Sequence, residues 1–330
     1  MRLRPFVLAL AALLLAAPPA RAQTVLKFAT AVGPGNPVNE AAAEFAKVAA
    51  ERSGGRLKVE VYINNQLARG EAAMLEGVQL GTIDVAAIGS APIGGMFEPA
   101  FQALDLPFLW TTRAQVWKVM DGPIGQALLQ KMEARGVKGL CYGGGWGFRN
   151  MMSNKRPILT PDDMKGQTIR VQESPTYIAL MKALGANPVP MAWGEVYLAM
   201  KQGTVDGMEL PTFSVVSDKF HEVTRFYSLT RHAYPPIAYF VTLRTYRGLA
   251  PDLRRAVDEA GREACAFHRK VEVEKEKIDL EVIRKAGVAV NEVRDLKAFR
   301  DRVGPVYEAV TAKIGKEFVD RLTAAARAAQ

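Results

Sequence analysis

A chain of 330 residues with 49% apolar residues and a formal charge of +9 is long enough for two domains with separate cores. Its positive charge is interleaved with acids, as in Lys270 to Lys285, and forms no basic stripe with aromatics between, which excludes nucleic acid as a partner class. Two cysteines and three histidines, with no C-x-x-C, no zinc spacing and no H-E-x-x-H, offer no motif for metal or redox chemistry.

The N-terminus reads as an export signal spanning residues 1–22. Arg2 and Arg4 precede the apolar run Phe6 to Ala17. Pro18-Pro19-Ala20-Arg21-Ala22 then carries an A-x-A pattern, so cleavage is expected after Ala22. Loss of Arg2, Arg4 and Arg21 lowers the charge to +6. Export to the periplasm permits a disulfide between Cys141 and Cys265. Cys141 lies in an apolar strand-like run and Cys265 on a predicted helix, so two separate buried thiols stay equally open. The run from Val85 to Trp110 is the most apolar of the mature chain. Glu98, Gln102 and Asp105 interrupt it, which predicts buried strands and turns rather than a membrane span.

The mature chain alternates two periodicities. Leu26 to Ala31 predicts a strand, Asn39 to Arg52 a helix, and Leu57 to Tyr62 a strand with Leu57, Val59 and Val61 on one face. A helix over Glu71 to Leu80, ending at Gly81, and a strand over Ile83 to Ile88 follow. This rhythm predicts an α/β fold with a largely parallel sheet. It resumes with a helix at Gly122 to Arg135 and strands at Val137 to Tyr142 and Gln167 to Gln172. Helices at Thr176 to Leu184 and Glu195 to Lys201, then a strand at Val205 to Glu209, continue it. The absence of a low-complexity linker suggests that the chain crosses between its two domains more than once.

From Pro251, apolar residues fall at Leu253, Val257, Ala260, Ala264, Phe267 and Val271, a helical spacing. A helix continued to Ala286 and capped by Gly287 would be roughly 50 Å long, enough to brace two domains. A break near Val271 to Glu274 into two helices is the alternative reading.

Catalytic motifs are missing. There is no G-x-S-x-G elbow, and Gly33-Pro34-Gly35 lacks the rest of a phosphate loop. Asp162 and Asp163 read as a capping pair, and His268 as a surface or packing residue. Binding chemistry is better represented. In Thr168-Ile169-Arg170-Val171-Gln172, alternation puts Ile169 and Val171 on one face and Thr168, Arg170 and Gln172 on the other. A strand arginine held this way presents a rigid charged fork to a carboxylate. Arg149 follows the glycine-rich run Gly143 to Phe148, while Arg156, before Pro157, reads as a loop residue. On the sequence alone, each strand arginine is more often a structural salt-bridge partner, and two in neighbouring strand-like segments improve the binding case only modestly.

Taken in order, these segments resemble the solute-binding proteins of tripartite ATP-independent periplasmic (TRAP) transporters, the dicarboxylate-binding DctP type. The resemblance rests on Leu67 to Glu71 with Leu80 to Asp84, and on Leu106-Pro107-Phe108-Leu109. It continues through Trp146 to Arg149, Ser153 to Ile158, Met164 to Val171, and Glu195 to Gly207, and covers essentially the whole mature chain.

The resemblance implies a two-domain α/β periplasmic binding protein fold with crossing hinge strands and a long C-terminal helix spanning both domains. The expected division is 23–146 plus 236–275 for one domain and 147–235 plus 276–330 for the other. It implies a cleft in which Arg170 pairs with a ligand carboxylate and Arg149 adds a second contact. Where many relatives carry Glu-Asn-Pro, with Asn touching the ligand, this chain has Met208-Glu209-Leu210-Pro211. Leu210 makes no such hydrogen bond. Trp146, Trp193, Phe213 and Tyr234 are candidate aromatic walls. The expected ligand is therefore a small organic acid, a monocarboxylate with an apolar or aromatic body, passed to TRAP membrane subunits. Glu209 alone gives no metal ligand set, and no cofactor is expected. A binding protein of an ATP-driven importer or a sensor, and a secreted enzyme, are the competing classes.

Overall fold

The computed structural model describes residues 23–330, so the predicted export signal lies outside the described residues. The strands and helices β1 (Thr24–Ala29), α1 (Pro37–Ser53), β2 (Leu57–Tyr62), α2 (Gly70–Leu80) and β3 (Val85–Gly89) realise the predicted βαβαβ run. Short helical turns at Ile93–Phe97 and Pro99–Asp105 replace further strands in the apolar run. They lead to α3 (Arg113–Asp121), α4 (Pro123–Lys131) and β4 (Val137–Gly145). Next come β5 (Arg149–Ser153), β6 (Thr168–Val171), α5 (Pro175–Ala183) and β7 (Asn187–Pro190). After them follow α6 (Trp193–Gln202), β8 (Gly207–Pro211), α7 (Thr212–Ser217) and β9 (Phe226–Ala233). The chain closes with β10 (Pro236–Thr242), α8 (Pro251–Lys285), β11 (Ala289–Glu292), α9 (Gly304–Ile314) and α10 (Lys316–Ala328).

Two sheets result, in the orders β2-β1-β3-β10-β4 and β11-β9-β5-β8-β6-β7. The expectation of a largely parallel sheet needs correction. β10 runs antiparallel to both β3 and β4, and β5 antiparallel to both β8 and β9. The cause is the crossing of the chain. β4 ends at Gly145 and β5 starts at Arg149 in the other sheet, while β9 ends at Ala233 and β10 starts at Pro236 back in the first. Each sheet thus gains a strand that returns from its neighbour. The crossings touch, as Trp146 N–H donates to Pro235 O at 3.2 Å.

Local chemistry explains the elements. Asn36 Oδ1 accepts from Val38 N at 3.1 Å, Pro37 opens α1, and Gly54, at φ 61°, closes it. The apolar face of α1 buries Phe45 edge-on against Phe28 of β1, with ring centroids 5.4 Å apart. β2 has the predicted boundaries.

α8 is one unbroken helix of 35 residues. It packs on α1 and β4 at one end and on α7 and β11 toward the other, so it spans both sheets. The predicted weak point holds because Glu272 is tied from three sides. Its carboxylate accepts from Arg113 Nε at 2.6 Å, Tyr234 Oη at 2.7 Å and Gly145 N at 3.0 Å. The crossing strand can pass this close only as glycine, because a Cβ at Gly144 would collide with the Glu272 carboxylate held in place by these three donors. His268, one turn earlier, is fully buried and stands 3.2 Å from Tyr239 Oη, a packing role.

The C-terminal helices pack more widely than the expected division implies. α9 meets α5 and the Pro99–Asp105 turn, and α10 meets α3. Gln115 Nε2 of α3 donates to Ala326 O. No helix among the described residues is long and apolar enough to cross a membrane.

The choice between a disulfide and free thiols is decided by packing: Cys141 on β4 and Cys265 on α8 form a disulfide, 124 residues apart in sequence. Closing so long a loop restricts the unfolded chain. Reduction is therefore expected to lower stability by about 2–4 kcal/mol. Chemical denaturation with and without reductant measures it, and an unchanged midpoint would refute it.

Candidate functional site

Between the sheets lies a small, partly open cavity of about 40 Å³. From the side of the first sheet come Ala31, Val32, Glu71 and Trp146, and from the side of the second Arg149, Arg170, Gln172, Trp193, Leu210 and Ser214. Two hydrogen bonds tie the lips together: Gly33 N donates to Asp218 Oδ1 at 3.0 Å, and Asn36 Nδ2 to Ser217 Oγ at 3.3 Å.

Arg170 and Arg149 reach this cavity from neighbouring regions of one sheet but differ in their partners. Arg149 is paired. Its Nε donates to Glu209 Oε2 and its Nη2 to the Glu209 carbonyl at 2.7 Å. Both side chains are buried. Burial opposes the Arg149 charge, yet Glu209 outweighs it and holds the guanidinium above its usual value. Burial likewise opposes the Glu209 carboxylate, and Arg149 outweighs that too, holding it below the carboxylate range. His232 Nε2 sits 3.8 Å from Glu209, but burial lowers its proton affinity, so it is a neutral neighbour at pH 7 rather than an ion-pair partner.

Among the described residues, Arg170 has no acid within salt-bridge distance, and its hydrogen bonds go to a carbonyl. Its Nε and Nη2 both donate to the Met191 carbonyl, at 3.1 and 2.7 Å. It is only 3% exposed. Burial pulls its pKa down to about 10; Glu209 offsets this in part, and Arg149 adds to the depression. A charged group kept in a poorly solvated place against a neutral carbonyl is short of one counter-charge. The strand pattern explains its position, since Ile169 and Val171 point into the apolar core and Arg170 faces away from them.

The aromatic residues separate. Trp193 lines the cavity and lies under the Arg170 guanidinium, with 5.6 Å from its carbon to the ring centre. Trp146 lines it from the crossing segment, packed so closely on Gly89 that a Cβ there would stand 2.5 Å from Trp146 Nε1. Leu210 forms part of the wall. Phe213 and Tyr234 are not among the lining residues. Phe213 is buried against the Gly147 bend in the first sheet's core, and Tyr234 packs on Phe148 with its hydroxyl spent on Glu272. Tertiary packing at the crossing claims both rings. Arg156 is a loop residue, donating to the carbonyls of Asp163 and Lys165. Asp163 caps a short turn with Thr160.

Three polar cavity residues escaped the sequence-based list of site residues. Gln172 shares the Arg170 face, and its Nε2 has no hydrogen-bond partner among the described residues. The same alternation that singled out Arg170 pointed to it. Ser214 lies in α7, just after the strand that carries Leu210. Glu71 opens α2, and its Oε1 accepts from Gly89 N at 2.5 Å. Burial raises its pKa to about 7, against the opposing pull of the Gly89 N–H, Arg149 and Arg170.

Fold and cavity together define a two-sheet protein that holds an under-compensated cation in the cleft between the sheets. Residues 28–314 match the DctP family, described as bacterial extracellular solute-binding protein, family 7, and the chain belongs to that family. It is 37% identical over 266 residues, 80% of each chain, to the 2,3-diketo-L-gulonate-binding periplasmic protein of Escherichia coli K12. Among solved structures it is similar to the sugar acid binding protein of Advenella mimigardefordensis in complex with galactonate. That match has a TM-score of 0.90 and 30% identity and covers 94% of this chain and 99% of the other. A TRAP periplasmic solute binding protein of Bordetella bronchiseptica, with density assigned to pantoate, matches at a TM-score of 0.87 and 35% identity, covering 91% and 99%.

Proposed function

We propose that this protein captures a small hydroxylated monocarboxylate in the cleft, in the periplasm, and delivers it unmodified to the membrane subunits of a TRAP transporter. The observation that carries the reading is Arg170, a buried guanidinium whose hydrogen bonds among the described residues go only to the Met191 carbonyl. A ligand carboxylate supplies the missing counter-charge, and Arg149 stands beside it already neutralised by Glu209. In this reading Trp146, Trp193 and Leu210 form the apolar walls, with Glu209 orienting Arg149 from behind. Phe213 and Tyr234 support the crossing strands instead. The 23–146 plus 236–275 and 147–235 plus 276–330 division serves as two lobes that close over the ligand.

The cavity lining does not support the expected apolar or aromatic body. Leu210, Val32 and Ala31 offer one apolar flank, but Glu71, Gln172 and Ser214 also line the space and ask for ligand hydroxyls. The similar structures carry galactonate and pantoate, both hydroxylated acids, which points the same way.

A thermal-shift screen against pantoate, galactonate, succinate and phenylacetate tests this. Ligand at about a hundred times its Kd adds about 2.7 kcal/mol to the folded state, a rise of several degrees. The hydroxylated monocarboxylates are expected to give it. A response to phenylacetate alone, or to none of the four, would sink the proposal. Native mass spectrometry checks that the acid leaves unaltered; conversion to another mass would point to an enzyme.

Leu210→Asn restores an amide where the wall is apolar. One added hydrogen bond is worth about 1 kcal/mol net, roughly fivefold in affinity. The variant is expected to gain that much for galactonate relative to pantoate in calorimetric titration. An unchanged ratio would remove Leu210 from the ligand's surroundings.

A further inference from the structure

We propose that Glu71 carries a proton whenever the cleft holds its ligand, so that the protein takes up a proton as it binds a monocarboxylate. This rests on the carboxylate reading above and adds a proton to it.

The geometry comes first. Glu71 is half-buried in the cavity wall at the start of α2, on the side opposite Arg149 and Arg170. Gly89 N–H holds its Oε1 at 2.5 Å, and no salt bridge engages it among the described residues. The charges that face it come from several elements. Arg149 of β5 is cancelled by Glu209 of β8, and His232 of β9 is neutral. Asp105, at the end of the Pro99–Asp105 turn, accepts from Ser90 Oγ at 2.5 Å, and burial raises its pKa to about 8, which keeps it protonated at neutral pH. Arg170 of β6 is then the one cation among these groups without an acid in salt-bridge contact, with Glu209 and Glu173 acting on it only from farther off.

The balance follows. With Glu71 protonated, the cleft presents one net positive charge, and a monocarboxylate neutralises it. With Glu71 ionised, Arg170 already has its counter-charge, and a ligand carboxylate would leave a surplus anion in a poorly solvated cavity. Two carboxylates sharing one site raise the pKa of one of them. The ligand therefore strengthens the hold of Glu71 on its proton, beyond the effect of burial alone. A protonated Glu71 also gains a donor, which an ionised carboxylate lacks and a ligand hydroxyl or carboxylate accepts.

Calorimetric titration with pantoate and with galactonate, each in two buffers of different ionisation enthalpy, reads the proton uptake directly. Near one proton per ligand is expected at about pH 8 and near none at about pH 5.5, with affinity falling by up to about tenfold per pH unit on the alkaline side. In Glu71→Gln, whose side chain cannot ionise, the binding that remains shows no such uptake. Wild-type binding without proton uptake at about pH 8 overturns the inference and leaves the carboxylate reading standing. So does uptake that persists in Glu71→Gln. Failure of both acids to bind at either pH overturns the carboxylate reading, and this inference with it.

Discussion

Arg170→Met is expected to abolish tight binding of the carboxylate while leaving the unliganded protein at least as stable as wild type. The two halves of this result have one cause. Arg170 is buried against Met191 O without an acid, and burial depresses its pKa to about 10. Its charge is thus a liability to the folded state until a ligand arrives. Replacing such a group by an apolar chain of similar length is often neutral or stabilising. In the complex the same charge is paired, and truncating one partner of a buried charge pair costs about 2–5 kcal/mol, roughly thirtyfold to several thousandfold in Kd. Calorimetry on wild type and variant, with denaturation of both in the absence of ligand, measures the two halves. Retained affinity would exclude Arg170 from the site. Lost affinity with a large drop in stability would make it a structural residue.

Glu209→Ala is expected to do the opposite. Glu209 neutralises Arg149 deep in the second sheet, where neither side chain is more than 3% exposed. Removing it strands a buried guanidinium, a loss of about 3–5 kcal/mol in folding stability. The double variant Arg149→Met with Glu209→Leu, which removes both charges, is expected to regain most of that loss. The pH dependence has a definite sign. Arg149 holds the Glu209 pKa below its ordinary value, so the stability it contributes is present above the unfolded carboxylate pKa of about 4.3 and is lost as the pH falls through the lower folded value. The wild type should lose stability over that acid window, and Glu209→Ala should lack this component. Urea midpoints between about pH 2 and 6 test it; parallel curves would place the acid sensitivity elsewhere.

These two arginines show how unevenly a site is written in a chain. Arg170 was legible because alternation along Thr168 to Gln172 separates a core face from a free face, and Gln172 was legible by the same rule. That Arg149 is already paired and Arg170 is not was hidden, because Glu209 lies sixty residues beyond Arg149 and reaches it only across the β5–β8 pairing. Phe213 and Tyr234 were indistinguishable from Trp146 and Trp193 as aromatic walls. Crossing-strand packing took the first two into the framework. Glu71 was visible only as the first residue of a helix, since its proton affinity depends on burial and on charges brought from β5 and β6.

Local patterns determined the α/β class, the boundaries of β2, the start of α8 and the strand that presents Arg170. Each is a matter of periodicity, capping or turn chemistry within a few residues of chain. Tertiary structure alone decided the antiparallel return of β10, the Cys141–Cys265 disulfide, the pairing of Arg149 with Glu209, and the burial of Arg170 against the Met191 carbonyl. Those features depend on which distant segments share a dry environment. Desolvation and Coulomb energy are set by distances through space, and spacing along the chain does not encode them until the two sheets have crossed and closed.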